Sequence, residues 1–560
     1  EMTSSLVGSE MCIRDRCYIW NIDYVTDIAR EYKKLCPSVP IWVGGPEVSY
    51  EVEAFLRENP YIDGVMIGEG EDTFRELCGY YAHKRKLSDI AGIAFRKNST
   101  GNSTSVNNIG GNKAGEIVFT SPRPIKNMSE IPFCYDTLDD FSNRIIYYES
   151  SRGCPFSCSY CLSSVDKTLR FRDTEIVKKE LKFFIDQKVP QIKFVDRTFN
   201  CNHAHAMELW RFIKANDNGV TNFHFEISAD LLNQEELELI SDMRPGLIQL
   251  EIGVQSTNDV TIKEIHRTMK LERLKEVVRL IQSGNNIHEH LDLIAGLPYE
   301  DYDSFGRSFD EIYELKPNQL QLGFLKVLKG SYMFEHAAEY GIVYHDKPPY
   351  EVMSTKWLSF DDVIKIKRVE EMLEVYYNSG QFEITMKLME CIFDSAFEFF
   401  QELGDFYEAN GYFGMSHSRI RRCEILLEFL ALYLHGCDSD DMASVGLSGN
   451  AGDRDNTDFD ENAQIYKMIQ ESLIFDLYYR ENCKSRPVWA TDIGSFKHMT
   501  HAYCKNGKLS HVEPFHYIFP DKHTRKLDEL PKYHKEPVWA LFHYDMRDPL
   551  DHQALVEYIE

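Results

Sequence analysis

The residues whose spacing most plainly invites chemistry are Cys154, Cys158 and Cys161, set in the run Arg152-Gly153-Cys154-Pro155-Phe156-Ser157-Cys158-Ser159-Tyr160-Cys161. The chain has 14 cysteines in 560 residues, and at that frequency a C-x3-C-x2-C triplet arises by chance in roughly 1% of such chains. Three thiolates on one loop bent by a glycine and a proline can wrap one face of a compact metal centre. Soft thiolates select iron–sulfur clusters or zinc. No fourth cysteine stands in register, so a four-iron cluster would keep one iron open to a small ligand. A zinc ion completed by a distant histidine, or three unliganded thiols, are the competing readings.

Other candidates are weaker one by one. Polar residues recur just after runs that read as strands: Asp196, Glu226, then Glu251 to Ser256 with Gln255, then Asp292 to Pro298 with Leu297. Nearer the N-terminus stand Val43-Gly44-Gly45-Pro46-Glu47 and Gly68-Glu69-Gly70-Glu71. Glycines at the carboxyl ends of parallel strands let a bulky cofactor approach the backbone. His203 and His205 open a helix and read as cap or surface residues. Cys391, Cys423, Cys437, Cys483 and Cys504 have no short spacing among themselves, which disfavours a second cluster. No G-x-S-x-G elbow supports a serine nucleophile.

The elements that must position these groups alternate. From about residue 17 a helix (21–36), a strand (40–43), a second helix and a strand (64–67) give α/β grammar. Residues 97–115 read as a Ser/Asn/Gly-rich surface loop and 122–132 as a proline-punctuated linker. Strands follow at 144–148, 191–195, 223–227, 247–252, 287–294 and 319–324, with helices between them. Six strands without a hairpin signal imply a parallel, right-handed array, three quarters of an eightfold barrel. The fold class is therefore α/β: a partial (β/α)6 TIM-like barrel over 140–340, preceded by an α/β segment over 17–125. A mainly helical domain follows over 345–560, with helices at about 359–380, 381–403, 418–435 and 463–480. Residues 438–461 read as an acidic mobile loop, and residues 1–16 as an artefact or disordered stretch resembling translated adapter sequence.

Composition narrows the class. Hydrophobic residues make up 43% and charged residues 27%, a globular balance. The formal net charge of −27 disfavours a nucleic-acid partner. No apolar run reaches the ~18–20 residues of a membrane span, and free thiols suit a reducing cytoplasm.

The cysteine triplet directly after the first barrel strand resembles the radical S-adenosylmethionine (SAM) superfamily. That resemblance implies a [4Fe–4S] cluster on Cys154, Cys158 and Cys161, with SAM chelating the open iron and Tyr160 beside its adenine. One electron would then cleave SAM to methionine and a 5′-deoxyadenosyl radical. It further implies SAM contacts from Asp196, Glu226, Gln255, Ser256, Leu297 and Pro298, although the Gly-Gly-Glu signature of other subfamilies is absent near Asp196. The barrel agrees independently, since such folds place their sites at the C-terminal strand ends. Residues 17–125 resemble the latter half of a Rossmann-like cobalamin-binding domain, which implies cofactor contacts at Gly44, Gly45, Pro46, Glu47, Gly68, Glu69, Gly70 and Glu71. Its first strands and the D-x-H-x-x-G cobalt-ligating motif are missing. The helical C-terminal third looks like an extension carried by an uncharacterised subset of these proteins.

The resemblance implies an oxygen-sensitive enzyme of anaerobic bacteria that methylates an unactivated carbon with cobalamin. A small-molecule or peptide substrate and an external one-electron reductant of flavodoxin or ferredoxin type would complete the system. The alternatives are a radical SAM enzyme without methyl transfer (rearrangement, cyclisation or methylthiolation) and a non-catalytic iron–sulfur or zinc protein.

Overall fold

Alternation within single strands shows how the barrel is built. In the run Ile248 to Gln255, residues 248, 250, 252 and 254 are buried apolar side chains, while Gln249, Glu251, Gly253 and Gln255 occupy the other face. Period two puts one set against the surrounding helices and the other into the barrel. The computed structural model describes residues 13–97, 116–435 (apart from 136, 142–143 and 166), 461–504, 509–520 and 524–559 (apart from 525, 528 and 549). The expected surface loop (97–115) and acidic loop (438–461) fall almost wholly outside the described residues.

The N-terminal sheet runs β1 (Ile13–Arg16), β2 (Ile41–Gly44), β3 (Gly64–Met66), β4 (Ile93–Lys97) and β5 (Glu116–Phe119), paired in that order. The first three strands are parallel and the last two antiparallel. Residues 13–16, expected to lie outside the fold, thus form an edge strand. Four residues are too few to show periodicity, and the backbone pairing with β2 is what holds them.

The barrel sheet begins with β6 (Ile146–Tyr148). A short hairpin, β7 (Ser151–Arg152) with β8 (Arg170–Phe171), brackets the cysteine loop. There follow β9 (Gln191–Phe194), β10 (Asn222–Ile227), β11 (Ile248–Gln255), β12 (His288–Ala295) and β13 (Gln319–Phe324). The order β13-β12-β11-β10-β9-β6 is parallel throughout, as the alternating pattern requires. The sheet does not close, so β13 is an edge. There Asn378 supplies what a further strand would: its Oδ1 accepts from Leu320 N at 3.0 Å and its Nδ2 donates to Leu320 O at 2.8 Å.

Asn378 ends a π-helical turn (Glu374–Asn378) that continues helix Phe360–Leu373, itself started by a capping box on Ser359. The expected helix over 381–403 is two, Glu383–Ile392 and Ala396–Ala409, broken where Ser395 caps the second. The small hairpin β14 (Val343–Tyr344) and β15 (Val352–Ser354) links barrel and C-terminal region. The C-terminal region also holds an antiparallel sheet of β16 (Ser510–Phe515), β17 (Val538–Arg547) and β18 (Ala554–Ile559), so it is less purely helical than its sequence reads. One continuous apolar core joins the barrel to this region, from Ile146 through Phe309 and Phe400 to Phe542. The N-terminal sheet packs a separate core around Val43 and Val65. Among the described residues no helix is long and apolar enough to cross a membrane.

Candidate active site

The cysteine loop is set by local chain geometry. Gly153 has φ +92°, and a Cβ there would lie 2.5 Å from Thr168 O, so only glycine passes under the returning strand. Ser159, at the loop's centre, donates its N–H to Ile265 O and accepts from Met333 N, both at 2.9 Å. These bonds pin the loop to the segments after β11 and β13. Cys154 is buried, Cys158 and Cys161 are half-buried, and all three are free thiols. Burial pushes the Cys154 thiol up, against the opposing pull of the Phe156 N–H and Thr198. A positively charged metal centre would reverse that balance.

All three cysteines line one cavity of about 190 Å³ at the C-terminal ends of the strands, together with Tyr160, Thr198, Glu226, Glu251, Gln255, Arg267 and Asp292. Tyr160 packs beside an apolar group that includes Ile265, Leu297 and Val327. Its hydroxyl accepts from Arg267 Nη1 at 3.3 Å, and the same nitrogen lies 3.9 Å from Cys158 Sγ. Gln255 sits at a register shift in β11 with φ +76°, a left-handed conformation unusual for glutamine. Its Oε1 and Arg267 Nε are buried without a hydrogen-bond partner. Burial, then the neighbouring Glu251, pushes Glu226 up to about 7. Burial also acts on Glu251, but hydrogen bonds from His224 and Lys193 outweigh it and bring that carboxylate down to about 2.

The residues fit an iron–sulfur cluster better than a single zinc ion. Among the described residues, no three His, Cys, Asp or Glu side chains converge as a mononuclear site needs. A four-iron cluster takes one thiolate per iron and spreads them over its face. The unpaired amide oxygen and guanidinium nitrogen beside the thiols suit a polar ligand such as SAM.

Four expected SAM contacts lie elsewhere. Asp196 is fully buried, and its carboxylate accepts from Ser150 N at 2.9 Å, Ser150 Oγ at 2.7 Å and Ser151 Oγ at 2.5 Å. It ties the end of β9 to the start of the cysteine loop. Ser256 donates to Glu300 at 2.6 Å and accepts from Asn258 N, bracing the turn after β11. Leu297 is core beside Tyr160, and Pro298 O accepts from Thr261 at 3.0 Å. Strand-end position could not separate such braces from ligand contacts. It also missed Arg267, which follows a short helix rather than a strand. Asp292 was visible only as part of the segment expected along adenine.

The N-terminal candidates are mostly engaged with the chain itself. A Cβ at Gly45 (φ +117°) would lie 2.6 Å from Cys17 O, and one at Gly44 would press on Met66. Pro46 opens a four-residue helical turn, and Gly70 opens helix Gly70–Tyr81. Glu47 accepts from the Tyr350 hydroxyl. Glu69 accepts from Lys126 N, from Arg152 at 3.1 Å and from Arg170 at 2.6 Å. Glu71 accepts from Arg152 at 3.0 Å. The Gly-Glu-Gly-Glu turn therefore clamps the arginine just ahead of the cysteines. Gly68 (φ +76°) faces open space.

An open six-strand barrel with a three-thiol loop at its mouth defines a SAM-cleaving class of fold, and comparisons place the chain within it. Residues 148–312 match the radical SAM superfamily, residues 13–78 the B12 binding domain, and residues 338–553 a family described as protein of unknown function (DUF4080). The chain thus carries a B12-binding domain followed by a radical SAM domain, and is an enzyme. It is 25% identical over 350 residues to an uncharacterized methyltransferase of Pyrococcus horikoshii, covering 61% of this chain and 71% of that protein. It is 26% identical over 337 residues to the cobalamin-dependent radical SAM methyltransferase TokK of Streptomyces tokunonensis, covering 56% of this chain but only 46% of TokK. The apo structure of the cobalamin-dependent S-adenosylmethionine radical enzyme OxsB shares the fold, with a TM-score of 0.52 at 16% identity over 83% of this chain and 71% of that one.

Proposed function

We propose that this protein reductively cleaves SAM at a [4Fe–4S] cluster on Cys154, Cys158 and Cys161 and carries out cobalamin-dependent methylation of an unactivated carbon of a small-molecule or peptide substrate. The observation that carries the reading is the single cavity that holds three thiols, an unpaired Gln255 Oε1 and an unpaired Arg267 Nε. Methyl transfer rests on the B12-binding domain and on the activities for which the two relatives are named. When bound, a four-iron cluster with SAM on its open iron supplies one-electron cleavage of a carbon–sulfur bond. The chain's part is to hold and orient. Tyr160 lines the same cavity as the three thiols and would border a cluster held there, and Arg267 keeps a positive charge beside Cys158. Gln255, Glu226 and Asp292 offer acceptors to the ammonium and hydroxyl groups of SAM. The electron would come from a flavodoxin- or ferredoxin-type donor in a reducing cytoplasm.

Anaerobic reconstitution is expected to give about four irons per chain and 5′-deoxyadenosine on reduction. A Cys158→Ala variant should lose both signals. Retention of both in that variant would overturn the assignment.

A further inference from the structure

The cysteine cavity lies at the C-terminal ends of the strands, and the N-terminal ends of β12 and β13 border a second cavity. It has a volume of about 380 Å³ and lies at the seam with the C-terminal region, a size suited to a small organic molecule. Asn285, His288 and Lys316 line it from the barrel side, and Glu383, Glu390 and Gln553 from the other. Strand β12 runs between the two cavities, with Asp292 lining the first and His288 the second. Four residues of strand set them about 13 Å apart. A barrel does its chemistry at the opposite face, so a ligand in the second cavity is not the molecule being transformed.

The polar groups of its wall are only partly paired. Lys316 Nζ stands 2.8 Å from Glu390 Oε1, and Lys387 donates to Glu383 Oε1 at 3.0 Å. The Arg480 guanidinium donates to the Asp551 carbonyl at 3.4 Å. Gln553, 3% exposed, donates its amide to Glu383 Oε2. Among the described lining residues, three buried atoms are left without a hydrogen-bond partner: Gln553 Oε1, Glu390 Oε2 and His288 Nδ1. The first two are acceptors. Burial pulls His288 down to about 4, and its neutral ring can take either role. The lining also carries four carboxylates, the two glutamates with Asp548 and Asp551, against the three cations Lys316, Lys387 and Arg480. Unmet acceptors and surplus negative charge are complementary to a ligand that brings donors and positive charge. A phosphate or carboxylate would set acceptors against acceptors. The backbone here is also unusual. Lys316 (φ 54°) and His552 (φ 61°) are held left-handed, and Tyr376 to Asn378 belong to the π-helical turn. Such conformations cluster at ligand sites.

We propose that this seam cavity is a second binding site, for a small organic cation whose primary ammonium or guanidinium group is held by Glu390, Gln553 and His288. By touching both sides of the seam, the cation fastens the C-terminal region to the base of the barrel. The test uses the full chain, reconstituted anaerobically, with agmatine, putrescine and inorganic phosphate as probes. Calorimetry is expected to show saturable binding of at least one of the two cations, unchanged by saturating SAM and absent with phosphate. The bound cation should raise the midpoint of thermal unfolding. Glu390→Gln and His288→Phe should each weaken its binding about tenfold or more. Saturable binding of phosphate, of neither cation, or of a cation that SAM displaces overturns the proposal, and so does wild-type affinity in either variant. Should both variants fail to fold, the choice of the wild type between cation and phosphate with SAM present decides. The readout is binding alone, so the result stands apart from whether the chain cleaves SAM.

Discussion

Asp196 shows how a carboxyl expected at a ligand can be engaged by the chain itself. Its place after a strand made it look like a ligand contact, but its partners, Ser150 and Ser151, lie more than forty residues away in sequence and only folding brings them together. The cysteine triplet was legible because one loop supplies the whole set, whereas Arg267 reaches Tyr160 from 107 residues on. Burial pushes the Asp196 carboxyl from 3.8 up to about 6, against the hydrogen bonds of Ser151 and Ser150. Between about pH 4 and pH 6 the folded carboxyl therefore keeps a proton that the unfolded chain has released, and its contribution to stability falls as pH rises. Urea unfolding across that window should show wild type losing on the order of 2–3 kcal/mol relative to Asp196→Asn. A pH-independent difference between the two would contradict this account. At the same scale, Arg267→Met should keep the iron but weaken SAM binding about tenfold or more by calorimetry, because Arg267 stands beside the cluster without ligating it.

At the scale of elements, the barrel strands could be read within a few residues because buried outer faces force period two. The C-terminal sheet could not. Pro514 lies inside β16, and proline in a short run argues against a strand. The partner β17 starts more than twenty residues later, with no tight turn to announce it. The Gly-Glu-Gly-Glu turn was legible as a loop, but not that its glutamates hold Arg152 and Arg170, more than eighty residues further on. Arg152 and Glu69 are each about one-fifth exposed, so breaking this clamp should matter more than loss of a surface pair. Glu69→Gln is expected to lower stability by about 1–3 kcal/mol. It should also speed loss of iron from the reconstituted protein, followed by absorbance on mild heating. Unchanged iron retention would show that the cysteine loop holds its shape without the Glu69 ion pairs.

At the scale of the whole molecule, the barrel and the C-terminal region share a single core, while the N-terminal sheet keeps its own. Truncation after about residue 345 should therefore expose the faces of Phe305 and Phe309 that pack on Phe397 and Phe400. The shortened chain is expected to be insoluble, and a soluble, monomeric product in sedimentation would show that the barrel needs no cover. Calorimetry of the full chain should resolve a smaller transition for the N-terminal sheet from a larger shared one. The same cover has a second effect at the open side of the barrel. An unpaired edge strand is a template on which another chain can add, and β13 offers its backbone there at Leu320. By occupying both groups of Leu320, the amide of Asn378 denies that template to neighbouring molecules. One side chain on a π-helical turn thereby helps to keep copies of this enzyme from joining edge to edge at cellular concentrations.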